Sequence, residues 1–346
     1  MSTRPAVSVV LVAHRSSALL PAAVGAFRAA AAAADLPAEV VVVEQSEDAT
    51  EVERVAATAP DALLVRPNLG YAAGINAGLR VARGELLVVA NPDVTPAPGA
   101  LGALWSAARS GWDIVGPQLE LAGALFPPAE EQTPRAELAR RRLHSRRAWE
   151  RHLRGQLAEW LRVWRAAVPQ PVATLSGAVI AFSAAAAQRV GPWPEEYFLY
   201  FEETAWLRRA VRRGLRLAVV PAARAAHRWG HSARPEQMAG RFAASQRLYY
   251  RRHFPLFGRL ALAQRPAPPP ELVPWKAAPA GEEWLWLLSP LARGMPAALL
   301  PEGVPVGAAS AEFCAASGRE TAWLTAWHPS SDRLAGPFRW PPEEAG

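Results

Sequence analysis

The chain has 346 residues, of which 51% are hydrophobic and 20% charged, so it can bury a large core and does not have the composition of a disordered protein. Its length is sufficient for two domains of about 100–200 residues each. The formal net charge is +7, but almost all of the positive charge is arginine spread along the whole chain, with Lys276 as the only lysine. Because a nucleic-acid-binding protein concentrates such charge on one element, we expect no nucleic acid partner.

Cysteine content and hydropathy bear on the compartment. Cys314 is the single cysteine, which excludes a disulfide framework and fits a reducing compartment. The apolar run near the N-terminus is too short to span a bilayer, and no small-residue cleavage site follows it. The uncharged stretch 166–187 contains prolines and polar residues that favour a loop entering a buried strand. We therefore expect a soluble, cytoplasmic protein.

The first ninety residues alternate between apolar runs and helical segments. Apolar runs without polar alternation are typical of strands buried on both faces of a sheet, and they lie at 7–13, 40–43, 62–66 and 85–90. Helices are predicted between them, at about 17–34, 49–58 and 72–83. This alternation predicts an α/β domain built around a mainly parallel sheet.

The ligand crevice of such a sheet lies beyond the carboxyl ends of its strands, so polar residues that follow the apolar runs are the first candidates for a binding site. These residues are His14 and Arg15, Glu44 to Asp48, Asn68 to Asn76, and Asn91 to Asp93. Gly70 and Gly74 would let a ligand approach the backbone where the third helix begins. Asp93 can hold Mg²⁺ or Mn²⁺ through an oxygen, although a turn or a helix cap is the plainer interpretation of an isolated aspartate.

The segment from about 130 to 168 has a different character. Trp149, Leu153, Leu157, Trp160 and Trp164 recur at three- and four-residue steps, which predicts an amphipathic helical insert with an arginine-rich opposite face. The plainer interpretation is a helix that packs on its own domain. The alternative is a helix that covers a substrate pocket or lies on lipid, which would place the protein peripherally at the inner face of the membrane.

A second cluster of candidates follows about a hundred residues after the first. Glu202 and Glu203 come directly after an aromatic run and open a predicted helix, where two acids would also favour the helix dipole. Aromatic surroundings raise the pKa of a carboxylate and make it a better general base. His227 follows an apolar run, a position at which an isolated histidine is more often structural.

The last third of the chain predicts a linker and an appendage. Residues 264–281 are rich in proline, and the short apolar runs that follow are broken by glycine and proline. We predict a main domain at 1–258, a linker at 259–281 and a small, mostly β C-terminal region at 282–346. Because every candidate site residue precedes this region, we expect it to be dispensable for ligand binding.

The order and spacing of these residues resemble the family 2 glycosyltransferases with the GT-A fold, in particular their rhamnosyltransferase-like bacterial branch. The donor half of that family carries N-x-G-[FY]-A-x-G-x-N and N-P-D-V, which this chain matches at 68–76 and 91–94. The acceptor half carries an aromatic and acidic motif followed by Arg, Gly, a strand, Val-Pro and His, which this chain matches from Gly191 to His227. The resemblance covers about residues 5–255.

This resemblance implies an inverting, metal-dependent transfer of a sugar from a nucleotide-diphosphate donor to a hydroxyl of a glycan or lipid-linked acceptor, in polysaccharide or cell-wall synthesis. Mg²⁺ or Mn²⁺ held by Asp93 and His227 would neutralise the diphosphate. Glu203, with Glu202 beside it, would be the catalytic base. Donor contacts are implied for His14, Glu44, Asp48, Asn68, Gly70, Gly74, Asn76, Asn91 and Asp93, and acceptor contacts for Gly177, Trp193 and Tyr200.

The chain departs from the family at several positions. Glu44-Gln45 stands where the family has Asp-Asn, and Glu203 and Ala205 each stand where it has an aspartate. The reference pKa values of Asp and Glu differ by only about 0.4 unit, so Glu203 remains a suitable base. Two alternatives stay open: a catalytically inactive sugar-binding or scaffold protein, and a nucleotidyltransferase on the same kind of domain.

Overall fold

The protein is described by a computed structural model that covers residues 4–228, 235–263, 268–274, 278–279, 281, 283–300 and 302–341, with only the backbone given for 235–238. These residues form one mixed β-sheet with a hydrophobic core on each of its two faces. The mixed α/β architecture expected for a GT-A fold is therefore confirmed.

The N-terminal part of the sheet is parallel. Strand β1 (Val7–Ala13) pairs with β2 (Ala38–Glu44) and β4 (Leu86–Ala90), and β2 also pairs with β3 (Ala62–Val65). The connecting helices are α1 (Leu20–Ala33), α2 (Ala49–Ala56) and α3 (Tyr71–Leu79). All seven predicted elements are confirmed, although α1 begins at Leu20 rather than near residue 17, with a proline in its first turn.

The absence of polar alternation in β1 has a direct structural cause. Val9 and Leu11 face the core shared with α1, whereas Val10 and Val12 face the core shared with α3. All seven residues of the strand are buried. Both faces of the central sheet are thus covered, as the continuous apolar runs predict.

The middle of the chain adds strands of both directions. These are β5 (Val94–Pro96), β6 (Ile114–Leu121), β7 (Ala124–Leu125), β8 (Gln170–Pro171), β9 (Val179–Ser183) and β10 (Leu217–His227), with helices α4 (Ala100–Arg109), α7 (Ala184–Val190) and α8 (Glu202–Arg212). Strand β9 runs antiparallel between β4 and β6, and β10 is parallel to β6 but antiparallel to β5. The ends of β4 and β10 therefore meet near the start of β5.

The insert consists of two helices, α5 (Pro134–Arg141) and α6 (Arg146–Trp164), so the expectation of one continuous helix is wrong. The chain restarts at Ser145, whose side chain accepts a hydrogen bond from the Ala148 amide and caps α6. The apolar stripe of α6 is buried: Trp149 is 1% exposed and Leu153 and Leu157 are 0% exposed. The packing interpretation is thus confirmed, and the stripe is not available to lipid.

Two tryptophans at the ends of α6 fix the helix in place. The Trp149 indole donates a hydrogen bond of 2.7 Å to the Arg293 carbonyl oxygen, and the Trp164 indole donates one of 2.8 Å to the Phe126 carbonyl oxygen. The first bond reaches the C-terminal region and the second reaches the end of β7.

None of the helices in the described part of the chain has the length and hydrophobicity of a membrane span.

The C-terminal region extends the main sheet. After α9 (Pro235–His253) and α10 (Phe257–Ala263) come β11 (Leu285–Ser289), β12 (Ala298–Leu299), α11 (Val306–Ser317), β13 (Ala322–His328) and β14 (Arg333–Trp340). Strand β12 pairs with β7 through Leu299 and Leu125. The mostly β character is confirmed with one added helix. The predicted boundary at 258 falls inside α10, and the shared sheet argues against an independent appendage.

Leu287 tests whether this region shares the core of the main domain. It is 1% exposed and belongs to the same apolar cluster as Leu157 and Trp160 of α6. We expect Leu287→Ala to lower the free energy of unfolding by about 2–5 kcal/mol, because it leaves a cavity in that cluster. Urea unfolding followed by fluorescence should show a single transition that shifts as a whole. The control is Val304→Ala at a side chain that is 41% exposed, for which we expect a change within about 0.5 kcal/mol. Two separate transitions, of which only one shifts, would support the independent appendage instead.

Candidate active site

Asp93 and His227 are brought together by strand pairing. Strand β5 runs antiparallel to β10 with Val94 opposite His227, which places the histidine beside the residue that precedes β5. The distance from His227 Nε2 to Asp93 Oδ1 is 3.4 Å, and the two side chains are 13% and 4% exposed. Asp93 Oδ1 is buried without a hydrogen-bond partner in the described part of the chain. A carboxylate oxygen and an imidazole nitrogen thus face each other with unused ligand capacity.

This pair fits a divalent cation that shares its coordination shell with a substrate. Within the described ranges, no group of three or more His, Cys, Asp or Glu side chains could hold a metal ion alone. Mg²⁺ sites at nucleotides typically use one or two protein carboxylates and take their other ligands from phosphate and water. The unpaired Asp93 oxygen beside His227 fits such an incomplete shell.

The acidic pair at the start of α8 follows a strained turn. Tyr200 and Phe201 both have φ of 69°, in the left-handed region that side chains other than glycine seldom adopt. Such a residue costs about 1–3 kcal/mol and persists only where its surroundings impose it. Here the Phe201 ring packs 5.3 Å from the Tyr249 ring and 5.2 Å from the Phe242 ring. Aromatic packing therefore holds the turn that aims Glu202 and Glu203.

The two glutamates have different surroundings. Glu202 is 4% exposed, and its Oε2 lacks a hydrogen-bond partner in the described structure. Burial, and then the charge of Glu203, raise the pKa of Glu202 well above its usual value. Burial also raises the pKa of Glu203, but hydrogen bonds oppose it, among them one of 3.2 Å from the Thr204 hydroxyl to Glu203 Oε1. Burial therefore favours the neutral form of both carboxyls, and of the two only Glu203 lines a cavity.

Gly177 determines where the Glu203 side chain can lie. A Cβ atom at Gly177 would lie 2.9 Å from Glu203 Cγ, closer than such atoms normally approach. Both residues line the same cavity. The structure thus places Gly177 at the site, where the absence of a side chain leaves room for the candidate base.

The cavity has a volume of about 730 Å³ and is lined by Glu203, His227 and the two insert helices. Its apolar lining includes Leu119, Phe126, Leu143, Trp160, Leu291 and Met295. On one wall Arg140 is already paired, with distances of 2.5 Å to Glu130 and 2.7 Å to Glu137. Leu291 and Met295 belong to the C-terminal region, in which no motif marked a site. Sequence reasoning therefore missed the part of the site that comes from that region.

The glycine-rich loop before α3 contacts the turn before α8. Gly70 has φ of +103°, and a Cβ there would lie 2.6 Å from the Phe198 carbonyl oxygen. The Tyr71 amide donates to the same oxygen at 2.9 Å, and Asn68 Oδ1 accepts a hydrogen bond from the Gly70 amide. The close approach expected at Gly70 therefore occurs with another stretch of backbone.

Gly74, Asn76 and Trp193 serve the core. A Cβ at Gly74 would lie 2.6 Å from Val12 Cγ1, so this glycine allows α3 to pack on the sheet. The Asn76 amide binds both backbone groups of Trp193 at 2.9 Å. Trp193 is 2% exposed and stacks on Trp206 with ring centroids 4.9 Å apart. Asn76 and Trp193 are thus buried in the core, Asn76 with both ends of its amide bound, and neither residue lines the cavity. The expected donor contact of Asn76 and the expected acceptor contact of Trp193 stay predictions.

The remaining donor candidates lie at the carboxyl ends of β1 and β2. His14 is exposed, whereas Glu44 is fully buried and accepts a hydrogen bond of 2.5 Å from the Ser46 amide. Asp48 caps α2 by accepting a hydrogen bond of 2.9 Å from the Thr50 amide. The plain structural role of Asp48 is thus observed, and the donor contacts of all three residues stay predictions.

Tyr71 links the two halves of the site. Its hydroxyl donates a hydrogen bond of 2.7 Å to Asn91 Oδ1, at the end of β4. Burial, and then the charges of Glu202, Asp93 and Glu203, raise the pKa of Tyr71 well above its usual value. Tyr71 thus bonds to Asn91 through its hydroxyl and to the Phe198 carbonyl oxygen through its amide, and these two contacts join the two clusters.

Tyr200, the last acceptor candidate, lies at the edge of this site. Its half-buried ring lies 5.6 Å from the ring of Phe242, which lines the cavity. Tyr200 itself is separated from the cavity by that contact. Its expected contact with an acceptor therefore stays a prediction.

The motifs that build both clusters fall within one family match. The family model described as "Glycosyltransferase like family 2" matches residues 5–251. The chain belongs to this family. The matched range contains Asp93, His227 and both glutamates, but it ends before the C-terminal strands that complete the cavity of this family 2 glycosyltransferase.

Two curated relatives of this family 2 glycosyltransferase are both named N-acetylglucosaminyl-diphospho-decaprenol L-rhamnosyltransferase. They come from the CDC 1551 / Oshkosh and H37Rv strains of Mycobacterium tuberculosis, and each is 30% identical over 186 residues. The match covers 48% of this chain and 57% of each relative. The chain thus spans little more than half the length of the curated relatives that it matches.

Solved structures with a similar fold include a mannosyltransferase and a GalNAc transferase. The mannosyltransferase PcManGT from Pyrobaculum calidifontis, in complex with GDP-Man and Mn²⁺, has 19% identity and a TM-score of 0.44 over 77% of this chain and 67% of its own. GalNAc-T7, with UDP, GalNAc and Mn²⁺, has 14% identity and a TM-score of 0.46 over 66% of this chain and 44% of its own.

The raised pKa of Glu202 makes the stability of this glycosyltransferase depend on pH. The folded state binds the Glu202 proton more tightly than the unfolded state, so stability is highest below the ordinary carboxyl pKa of 4.5 and falls as the pH rises towards the raised value. We expect Glu202→Gln to increase the free energy of unfolding at neutral pH, with a gain that shrinks as the medium becomes acidic. The difference in the free energy of unfolding between the variant and the wild type can be measured by urea unfolding in EDTA from acidic to neutral pH.

The matched control for this measurement is Glu53→Gln, a change at an exposed side chain on α2. We expect no comparable pH-dependent gain from it. A Glu202→Gln variant that is less stable than wild type at every pH would contradict the assignment of a buried carboxyl with a raised pKa.

Proposed function

We propose that this protein transfers a sugar from a nucleotide-diphosphate donor to a hydroxyl of a glycan or lipid-linked acceptor, with inversion at the anomeric carbon and with a divalent cation. One observation carries the proposal: Glu203 and His227, the latter paired with Asp93, line one cavity. Transfer from a diphosphate requires a cation-binding pair and a carboxylate base at one site.

Asp93 and His227 would hold Mg²⁺ or Mn²⁺ next to the donor diphosphate. Bound there, the cation would neutralise the charge that develops on the departing nucleoside diphosphate. The Asp93 oxygen without a hydrogen-bond partner and the facing His227 nitrogen support this assignment. Asn91, which accepts a hydrogen bond from the Tyr71 hydroxyl, would keep the turn that carries Asp93 in place.

Glu203 would accept the proton of the attacking acceptor hydroxyl. The acceptor oxygen forms its bond to the anomeric carbon from the face opposite the diphosphate, whose bond breaks with its electron pair leaving on the diphosphate. Burial raises the pKa of Glu203, which increases its strength as a base in the ionised form. Glu202, which is buried and does not line the cavity, would position the start of α8.

The mainly apolar lining of the cavity favours an acceptor with an apolar portion. Leu291 and Met295 from the C-terminal region line the cavity together with α6 residues such as Trp160, and Met295 packs against the apolar cluster that contains Trp160. The curated relatives are named for a diphospho-decaprenol acceptor, which joins a sugar to a long apolar chain. Of the two acceptor classes, we therefore favour a lipid-linked one.

A catalytically inactive sugar-binding protein is the second candidate, and Ala205 is the residue that favours it. Ala205 is 6% exposed and lies in an aromatic cluster with Tyr197, Phe201 and Tyr249. It does not line the cavity, so the missing aspartate removes no charge from the cavity wall. This packing supports the active enzyme over the inactive alternative.

Nucleotide binding tests the proposed cation site. We expect calorimetry with a panel of nucleoside diphosphates to show binding in Mn²⁺ and none in EDTA. Asp93→Asn removes the anionic ligand at constant size, so it should weaken binding in Mn²⁺ by at least about tenfold. The control is Asp35→Asn, which makes the same chemical change at an exposed residue in the turn after α1 and should leave nucleotide binding unchanged. Equal wild-type affinity in EDTA and in Mn²⁺ would rule out this use of Asp93.

Turnover tests the base. Glu203→Gln keeps the size of the side chain but cannot accept a proton, so transfer should fall by about 10²–10⁴ while donor affinity is retained. Glu203→Asp should keep part of the activity, although its shorter arm displaces the carboxylate by about 1 Å. The measurement is release of nucleoside diphosphate from a panel of donor sugars.

The matched control is Glu202→Gln, for which we expect a smaller loss because Glu202 does not line the cavity. A dead Glu202→Gln variant beside a fully active Glu203→Gln variant would reverse the two roles. Should the wild type turn over no donor and both variants match it, the inactive sugar-binding protein is the correct reading.

A further inference from the structure

A short helix after the family 2 region turns its large apolar side chains outward. Leu256 and, in α10, Phe257 and Leu260 are 75%, 67% and 62% exposed. The small residues Gly258 and Ala261 form the buried side of α10. A Cβ at Gly258 would lie 2.8 Å from Tyr250 Cβ, so α10 approaches α9 closely at this glycine, and Leu262 packs on the aromatic cluster that contains Tyr250. The other two large apolar residues of α10 are exposed, contrary to the usual arrangement of a surface helix.

Three arginines lie on the same pair of helices, α9 and α10. Arg247, Arg251 and Arg259 line a groove of about 560 Å³ between α9 and α10. All three are exposed, and none has an ion pair or side-chain hydrogen bond with another described residue. Residues 237–263, up to the end of α10, contain five arginines. No aspartate or glutamate occurs from 237 to 270. We call Leu256, Phe257, Leu260, Arg247, Arg251 and Arg259 the α9–α10 surface.

Two other arginines of α9, by contrast, have interaction partners in the described chain. Arg252 pairs with Glu196 at 3.3 Å, and the Arg241 guanidinium lies 4.7 Å from the centre of the Phe198 ring. The arginines of the α9–α10 surface lack such partners within the described chain. The surface thus combines uncompensated positive charge with protruding apolar side chains.

We propose that the α9–α10 surface docks the protein on an anionic membrane surface. Guanidinium groups would contact lipid phosphates, and Phe257, Leu256 and Leu260 would enter the boundary between headgroups and acyl chains. Charge complementarity selects this partner, because a surface with only positive charge and protruding apolar groups matches a bilayer that is negative outside and apolar beneath. The stripe of α6 plays no part, since its tryptophans are buried.

The position of this surface relates it to the cavity. Helix α9 carries Phe242 and Gln246, which line the cavity, and Arg247 and Arg251, which line the groove. Docking through the groove side would hold the cavity wall close to the bilayer. An acceptor anchored in the membrane could then reach the cavity, although vesicle binding itself does not depend on the proposed transfer reaction.

Sedimentation with vesicles tests the proposal on the full chain. We expect binding to vesicles of phosphatidylcholine with phosphatidylglycerol, weakening as salt increases, and little binding to phosphatidylcholine alone. The pair Phe257→Ser and Leu260→Ser should weaken binding by at least about tenfold, and the pair Arg251→Gln and Arg259→Gln should do the same. Circular dichroism and nucleotide binding confirm that each variant is folded.

Matched controls separate this surface from overall charge and hydrophobicity. Arg147→Gln with Arg151→Gln removes the same charge from exposed positions of α6, and Val168→Ser with Val304→Ser removes exposed apolar side chains elsewhere. Both should bind vesicles as the wild type does. The proposal is overturned by a wild type that does not bind anionic vesicles at low salt, by variants that bind like the wild type, or by light scattering that shows the apolar variant has instead lost self-association.

Discussion

The antiparallel contact between β5 and β10 is the interaction on which the candidate active site depends. It joins a three-residue strand after the Asn-Pro-Asp turn to a strand more than a hundred residues later, and it places His227 opposite Val94. Without this register, Asp93 would be an ordinary turn residue. With it, a buried carboxylate oxygen faces an imidazole nitrogen on the cavity side of the sheet. The remaining parts of the site, including the turn before α8, are arranged around this edge.

Electrostatics and packing cooperate around the acids. The left-handed backbone at Tyr200 and Phe201 is unfavourable by itself, and the aromatic residues of α9 hold it. Glu202 and Glu203 follow this turn directly, and burial raises the pKa of both carboxyls. A strained backbone and two carboxyls with raised pKa values therefore occur at the same helix start.

The sequence predicted the central sheet and its helices well, but it did not predict the part of the cavity that comes from the C-terminal region. The seven elements from β1 to β4 followed from the alternation of apolar runs and helical segments, and the runs that form β1 and β4 are buried on both faces of the sheet, whereas β3 is partly exposed. The pairing of Asp93 with His227 followed only from the resemblance, because no spacing rule links such distant positions. Trp193 is buried, and the sequence could not show this, because an aromatic residue of the core gives the same sequence signal as one that lines a pocket. The contributions of Leu291 and Met295 carried no signal, since these ordinary apolar residues are brought to the cavity by long-range contacts, among them the pairing of β12 with β7 and the hydrogen bond from Trp149 to Arg293.

The bonding of Asn76 bears on how relatives of this protein should be compared. Its amide joins α3 to the backbone of Trp193, and Gly70 and Gly74 each allow a contact that a larger residue would block. Folding alone is enough to retain these three positions over evolutionary time, whether or not a relative still transfers sugar. Divergence at Asp93, His227 and Glu203 would carry the information on lost catalysis. A motif that spans both kinds of residue therefore records ancestry in its glycines and present-day chemistry in its acids.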